Sequence, residues 1–407
     1  MLKKMFKSFD YPLIFAIILL CGFGLIMVYS SSMISAVSRF NFESDFFFKR
    51  QAIFLAAGFF LFTIMAIFPY KALANKAFQK FLLLGSIMFL FLLFVFGHTA
   101  GGAKSWFQLF GFQVQPGEFV KLSLIIYLSY VYSKKQSYID QLGTGIAPPA
   151  IVTVVICTLV AVQPDFGTAV IIGTIAMSMI LCSGLSGKGL FKLVMLSGLV
   201  ILLISPVIFF NLDNILTGYR LSRIESFQNP FRYADSSGLQ VVNSYLAIGS
   251  GGLFGLGLGE SVQKYGFLPE AHTDFIMAII AEELGIFGVL FVIFLLAFVV
   301  LKGFYIARKC QDPFGSLLAI GISSMIAIQS FINLGGVCGL IPVTGVTLPF
   351  ISYGGSSLLL LLISSGILVN ISMFTQYFEK NKKKAPIHKE MIEKKQSRDR
   401  FRYENAQ

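Results

Sequence analysis

Ten apolar stretches recur along almost the whole chain, most of them near the ~20 residues that a helix needs to cross a hydrocarbon core. They fall at 11–30, 51–68, 81–97, 117–133, 148–162, 166–183, 190–210, 275–300, 316–334 and 358–374. Of 407 residues, 56% are hydrophobic and only 13% charged, against the ~25% charge typical of a soluble domain. The expectation is an all-α polytopic membrane protein of about ten transmembrane helices, because a helix satisfies its own backbone polar groups in lipid. Lys3, Lys4 and Lys7 precede the first stretch as they would in a signal peptide. No small-residue cleavage site follows it and nine further stretches do, so it reads as a retained helix.

An even number of spans puts both termini on one side, and most of the 32 Lys and Arg lie on that side. The positive-inside rule makes both termini cytoplasmic. Much of the net charge of +12 sits in a basic tail over 379–407, including Lys382, Lys383, Lys384, Arg398, Arg400 and Arg402. That tail is expected to be unstructured and held near anionic lipid, with 1–378 forming the membrane domain. Charge placed there argues for lipid, not nucleic acid, as the partner of the excess. Of the five cysteines only Cys338 would face outward, so no external disulfide is expected.

Two features depart from a plain bundle. The connection between the seventh and eighth spans, 211–273, is by far the longest, and is rich in charge, glycine and aromatics. Such a loop on the outer face is a candidate functional surface. The second feature is a set of ionisable residues at or within helix ends: Glu118, Lys121, Asp165, Asp274, Glu282 and Glu283. Each costs at least ~2.5 kcal/mol at a bilayer centre, so each needs a partner, a cavity or a task. Glu118 and Lys121 are three apart and share a helix face, which suits an internal ion pair as well as a substrate-facing pair. Asp165 follows Pro164 and suits a helix cap. Asp274 opens the eighth span directly after Glu270, Ala271, His272 and Thr273, at the outer interface, where a cap and a catalytic carboxylate are both open readings.

Other chemistry finds little support. His98, His272 and His388 are scattered, and no cysteine or histidine spacing suits zinc. The glycine-rich run from Gly249 to Gly259 follows no strand, so it is no phosphate-binding or dinucleotide fingerprint.

Several ordered segments do match a known pattern. GYRLSRIESFQNP (218–230), GSGGLFGLGLGESVQK (249–264), LPEAHTDFI (268–276), IPVTGVTLPFISYGGSS (341–357), QPDFGT (163–168) and QPGEFVK (115–121) resemble the signature segments of the SEDS family. This is the shape, elongation, division and sporulation family that contains FtsW, RodA and SpoVE, and the resemblance runs from about residue 10 to 375. LPEAHTDFI followed by AEELG, and the opening DYPLI, are most similar to the division branch of Bacillus-type Gram-positive bacteria. The resemblance implies a peptidoglycan glycosyltransferase that polymerises lipid II outside the cytoplasmic membrane, at the septum. It also implies a class B penicillin-binding protein transpeptidase as partner, together with other membrane proteins of the division machinery. By the same likeness Asp274 is the catalytic residue, and Glu118 and Lys121 belong to the central cavity. Gly117 stands where the family usually has Ser, and Val343 where many relatives carry Lys.

The chemistry can be built without the family. Joining two lipid-linked sugars with inversion needs a base for the attacking 4-hydroxyl and positive charge for the departing polyprenyl diphosphate. Asp274 is the candidate base, with Glu270 and His272 beside it. Arg220 and Arg223 lead as diphosphate ligands because a guanidinium grips phosphate oxygens in a fork, and Lys264 and Lys121 follow. A divalent cation bridging carboxylate and diphosphate would serve the same end, and no residue pattern specifies one. A lipid II flippase and a noncatalytic division scaffold are the competing readings.

Overall fold

The computed structural model describes the backbone of residues 8–100, 103–109, 112–210 and 218–404. Within these it describes all side chains except 99–100, 103–104, 109, 112, 199–201, 203–210, 218–221, 224 and 380–404. Each of the ten apolar stretches falls on a helix. These are α1 (Tyr11–Ser38), α2 (Phe46–Ile67), α3 (Lys76–Phe96), α4 (Pro116–Lys134), α5 (Ala147–Val162), α6 (Phe166–Leu181), α7 (Gly187–Phe210), α10 (Ile276–Lys309), α11 (Pro313–Val337) and α12 (Gly355–Glu404). Two shorter helices, α8 (Gly218–Gln228) and α9 (Leu239–Gly251), lie in the long connection. The chain is a nearly all-helical, multi-pass membrane protein. The basic tail, expected to be unstructured, instead continues α12 as helix to Glu404; its side chains from 380 on lie outside the described residues.

Several helices outrun their apolar stretches, and for α1 and α10 the physical reason is plain. Past residue 30, α1 continues through serines whose hydroxyls donate to carbonyls of the same helix, Ser31 to Met27, Ser35 to Ser32 and Ser38 to Ile34. Polarity satisfied in this way does not end a helix. At its far end α10 gains Arg308 and Lys309 in the last turn, where the helix dipole favours cations. A third difference is a small sheet that hydropathy gave no sign of. Between α3 and α4 lie three antiparallel strands, β1 (His98–Ala100), β2 (Ala103–Leu109) and β3 (Phe112–Val114), with Phe107 opposite Val114. The Phe107 ring, 5.1 Å from Phe89, ties the sheet to α3.

Burial separates centre from rim. The most apolar windows of α11 and α12 are 72% and 78% buried, whereas those of α2 and α3 are 22% buried and turn their sides to lipid. The middle of α4 is buried with α11 and α12. Close helix approach in lipid needs small residues, since no hydrophobic force drives it there. At Gly24 of α1 a Cβ would lie 2.7 Å from the Ile351 backbone, so only glycine admits the loop that precedes α12.

The end of the long connection packs against the bundle. After α9 the chain runs down beside α10. Leu256 and Gly257 donate their N–H groups to the carbonyls of Glu282 and Glu283, and Ile286 N–H reaches back to Gly252 and Leu253. These residues lie 8 to 12 positions beyond Asp274, roughly 12–18 Å along the helix. At that level α10 breaks at Gly285, whose φ of 63° and ψ of −157° a side chain would strongly resist. Backbone from the connection replaces the hydrogen bonds lost at the break, as a dry environment requires.

Candidate functional site

Asp274 lies two residues ahead of α10, and the segments around it are held mainly by the loop from 341 to 354. Asn333, near the end of α11, donates from Nδ2 to the carbonyls of both Asp274 and Val346, each at 2.7 Å. Ser352 Oγ donates to the Thr273 carbonyl, and Tyr353 N–H donates to the His272 carbonyl at 2.9 Å. Gln51 of α2 secures the same loop from below, donating to the Ser352 carbonyl and accepting from Gly354 N–H. The turn that carries Asp274 is therefore pinned on its backbone, leaving the side chain to act.

Among the described residues no hydrogen bond reaches the carboxyl itself. Packing around it pushes its pKa up to about 7, the nearby Glu270 charge adding to the rise and Arg223 opposing it. The residue nevertheless keeps partial contact with solvent. A Cβ built at Gly345 would lie 3.6 Å from Asp274 Oδ2, so this glycine, with φ of 77°, leaves space directly beside the acid. Glu270 sits in the left-handed region at φ 57° and accepts from Thr273 Oγ1 at 2.8 Å. A carboxyl near neutral pKa, open on one side and flanked by a guanidinium, can take a proton from a hydroxyl at physiological pH.

The remaining candidates divide. Arg223, on α8, donates from Nη1 to the Val343 carbonyl at 3.2 Å, which draws it over the 341–354 loop toward Asp274. The side chain of Arg220 lies outside the described residues. His272 is buried between the rings of Phe47 and Tyr353, at 4.4 and 5.7 Å, and burial lowers its pKa, so it packs as a neutral ring. Lys264 is turned away from the acid: fully buried, it pairs with Glu283 at 2.9 Å and also bonds Ser30 of α1 and the Gly259 carbonyl. Its neighbour Glu282 accepts from Ser261 Oγ and from Val262 N–H. Glu118 and Lys121 form a buried ion pair at 2.8 Å, each neutralising the other.

The 163–168 and 115–121 motifs meet the same loop. Asp165 caps α6 by accepting from Thr168 N–H at 3.1 Å, and its other oxygen accepts from Gln115 Nε2 at 2.9 Å. Gln115 N–H donates to Ser356 Oγ, and Gly167 packs beneath the Thr344 carbonyl. Among the described residues no group of three or more His, Cys, Asp or Glu is arranged to hold a metal ion. Reading the sequence passed over Asn333, Gly345, Ser352 and Gln51. For Asn333 and Gln51 a signal existed: an amide in an otherwise apolar span needs a buried partner.

Comparison with known proteins agrees over nearly the full length. The family described as cell cycle proteins of the FtsW, RodA and SpoVE type matches residues 11–377. A Bacillus subtilis (strain 168) protein named "Probable peptidoglycan glycosyltransferase FtsW" is 71% identical over 97% of this chain and 98% of its own. Stage V sporulation protein E of the same organism is 40% identical over 90% of this chain and 98% of its own. Among solved structures, a chain of a peptidoglycan synthase complex that coordinates polymerization and crosslinking superposes with a TM-score of 0.71. It is 25% identical, covering 90% of this chain and 98% of that one. Thermus thermophilus RodA gives a TM-score of 0.63 at 25% identity, over 89% and 96%.

Proposed function

Because this chain belongs to the FtsW/RodA/SpoVE family, we propose that it is a peptidoglycan glycosyltransferase that joins lipid II units at the outer face of the membrane, with Asp274 as general base. The observation that carries the assignment of the base is the Asp274 carboxyl itself. It is raised to about 7, lies beside the space left by Gly345, and rests on a turn pinned by Asn333 and Ser352. A base works best with a pKa near the operating pH, and such a base contributes roughly 10²–10⁴-fold.

In this reading the 4-hydroxyl of one lipid-linked sugar gives its proton to Asp274 as its oxygen bonds to the anomeric carbon of the other. The bond from that carbon to the diphosphate breaks with inversion, and the electron pair leaves on the diphosphate oxygen. Arg223, already drawn toward the acid by Val343, is the described cation best placed to meet that charge. Lys264, Glu118 and Lys121 hold the scaffold through their ion pairs, not the diphosphate. Both substrates keep their polyprenyl tails in the bilayer, which accounts for an acid at the outer mouth of a helix and not deep in the bundle.

The structural neighbour from a complex that couples polymerization to crosslinking supports a class B penicillin-binding transpeptidase as partner. Work at the septum during division belongs to the same proposal and is supported by the match to a family of cell cycle proteins. Purified protein with its transpeptidase and lipid II in detergent is expected to yield glycan chains, and Asp274→Asn to yield none. Undiminished polymer from Asp274→Asn would reject the base, and lipid II movement without polymer would reject the enzyme.

A further inference from the structure

At the end of the bundle where both termini lie, a cavity of about 560 Å³ opens where α4 ends and α5 begins, lined by Lys135, Tyr138, Gln141, Gly143, Thr144 and Pro148. That volume lies within the range for ligand sites, ~300–1,000 Å³. Part of its wall is a single wide helical turn, Leu142–Ile146. Gly145 packs so closely under the carbonyls of Tyr138 and Ile139 that no side chain would fit there, which holds this wall in place.

Charge decides what this cavity takes. The segments 134–146 and 182–192, which meet at this corner, carry Lys134, Lys135, Lys188 and Lys192 against one acid, Asp140. Asp140 is already engaged: its Oδ1 accepts from Ser186 N–H at 2.9 Å and its carbonyl from Lys192 at 3.1 Å. Among the described residues no carboxylate lies within ion-pair distance of any of the four lysines. Lys135 donates instead to the Thr144 carbonyl. Partial burial lowers its pKa, as befits a cation that has lost water without gaining a counter-charge. The lining thus offers three donors and no acid: Lys135 Nζ, the Tyr138 hydroxyl and Gln141 Nε2, the Gln141 Oε1 already accepting from Thr144 Oγ1 at 2.8 Å. Tyr138 and Gln141 are exposed and Lys135 partly so, which leaves them within reach of a ligand. Beyond the cavity, Pro148, Ile151 and Val155 follow one face of α5, the last two 59% and 41% exposed, with Leu142 exposed at its start. A ligand with an acyl chain along that stripe would bring an anionic end to the three donors.

We propose that this cavity binds the headgroup of an anionic phospholipid of the phosphatidylglycerol type. The phosphodiester oxygens accept from Lys135, Tyr138 and Gln141, and one acyl chain lies along Leu142, Ile151 and Val155. A zwitterionic headgroup would bring its ammonium into a corner where lysines are in excess and the one carboxylate is engaged, so it gains nothing from the net charge there. This site is separate from Asp274 and does not depend on the reading of the reaction.

The test is native mass spectrometry of the full chain, equilibrated in turn with phosphatidylglycerol, phosphatidylethanolamine and phosphatidylcholine of matched acyl chains. The first glycerol lipid is expected to be retained about tenfold over the other two, the factor of one charge-assisted hydrogen bond. Lys135→Met should erase that preference, and Tyr138→Phe or Gln141→Ala should lower it about threefold, as for a neutral hydrogen bond. Lys188→Met removes the same charge from the same corner without touching the cavity and should leave the preference unchanged. The basic tail is present in every variant, so lipid held by it cancels in the comparison. The thermal midpoint of each variant, measured without added lipid, identifies any that fails to fold; should Lys135→Met do so, the exposed substitutions at Tyr138 and Gln141 carry the test. Equal retention of the three lipids by the parent would overturn the site. Equal losses in Lys135→Met and Lys188→Met would overturn it too, by showing diffuse surface charge. Glycerol 3-phosphate displacing the lipid at equal concentration would overturn the lipid in favour of a soluble phosphate ester.

Discussion

Replacing Asn333 with Ala removes the amide that bonds the carbonyls of Asp274 and Val346 at 2.7 Å each. Asn333 is 4% exposed, so both carbonyls are left facing a dry hole. Each stranded acceptor costs about 1–3 kcal/mol, which sets a stability loss of roughly 2–6 kcal/mol before relaxation, the lower half being expected once Ser352 holds the adjoining turn. The larger effect should fall on the reaction. Freed of this tie, the Asp274 turn can drift by about 1 Å, a displacement that costs on the order of 10²-fold when it separates a base from its proton. Lipid II polymerisation by the purified variant, followed as initial rate against substrate, should show a lower kcat with KM little changed, because the amide touches the backbone of the base and not the substrate. Thermal unfolding in parallel measures the stability loss. A variant with the expected drop in melting temperature but the parental kcat would refute the claim that Asn333 positions the acid.

Four further outcomes follow from the same geometry. Gly345→Ala places a methyl 3.6 Å from Asp274 Oδ2 and forces a side chain to φ 77°, so polymerisation should fall at least tenfold with ~1–2 kcal/mol of strain; parental activity would show that the hydroxyl does not approach from that side. Arg223→Lys should keep part of the activity and Arg223→Ala much less, read as polymer yield; three equal yields would remove the guanidinium from the diphosphate. Lys264→Met removes the buried cation opposite Glu283 and should cost on the order of 3–5 kcal/mol of stability, read as lower expression and melting temperature, while adding Glu283→Gln should recover much of it; stable, inactive Lys264→Met would instead return this lysine to the substrate. Because burial raises the folded pKa of Asp274 above its usual 3.8 to about 7, the native state holds a proton that the unfolded chain has lost between those values. Stability from this group is thus full below the lower value and declines as pH rises toward the upper; Asp274→Asn should flatten that decline in pH-dependent unfolding, and an unchanged profile would contradict the raised pKa.

The ten helices were legible because lipid leaves the backbone no choice but helix, and seven of them are, among the described residues, long and apolar enough to cross a membrane. Helix ends were less so, since Ser31, Ser35 and Ser38 lower hydropathy yet bond within α1. The sheet at 98–114 and the descent of 252–257 beside α10 escaped because both rest on pairing between distant backbones, which no local pattern records. At the site, Asp274 stood out as a charge at a helix mouth. What holds it did not, because Asn333, Ser352 and Gln51 are brought there only by the fold. The pairing of Lys264 was hidden for the same reason: its partner Glu283 is 19 residues away, at the break in α10 where Gly285 bends the chain.

The central claim is that a carboxyl held near neutral pKa at position 274 takes the proton in glycan synthesis. Its most direct measure is the single-turnover rate of lipid II polymerisation across pH, with the transpeptidase present. The rate should climb with pH, level off above an apparent pKa of about 7, and lose both the slope and roughly 10²–10⁴ of its height in Asp274→Asn. A profile that stays flat through neutrality, or one that survives in the asparagine variant, would contradict it.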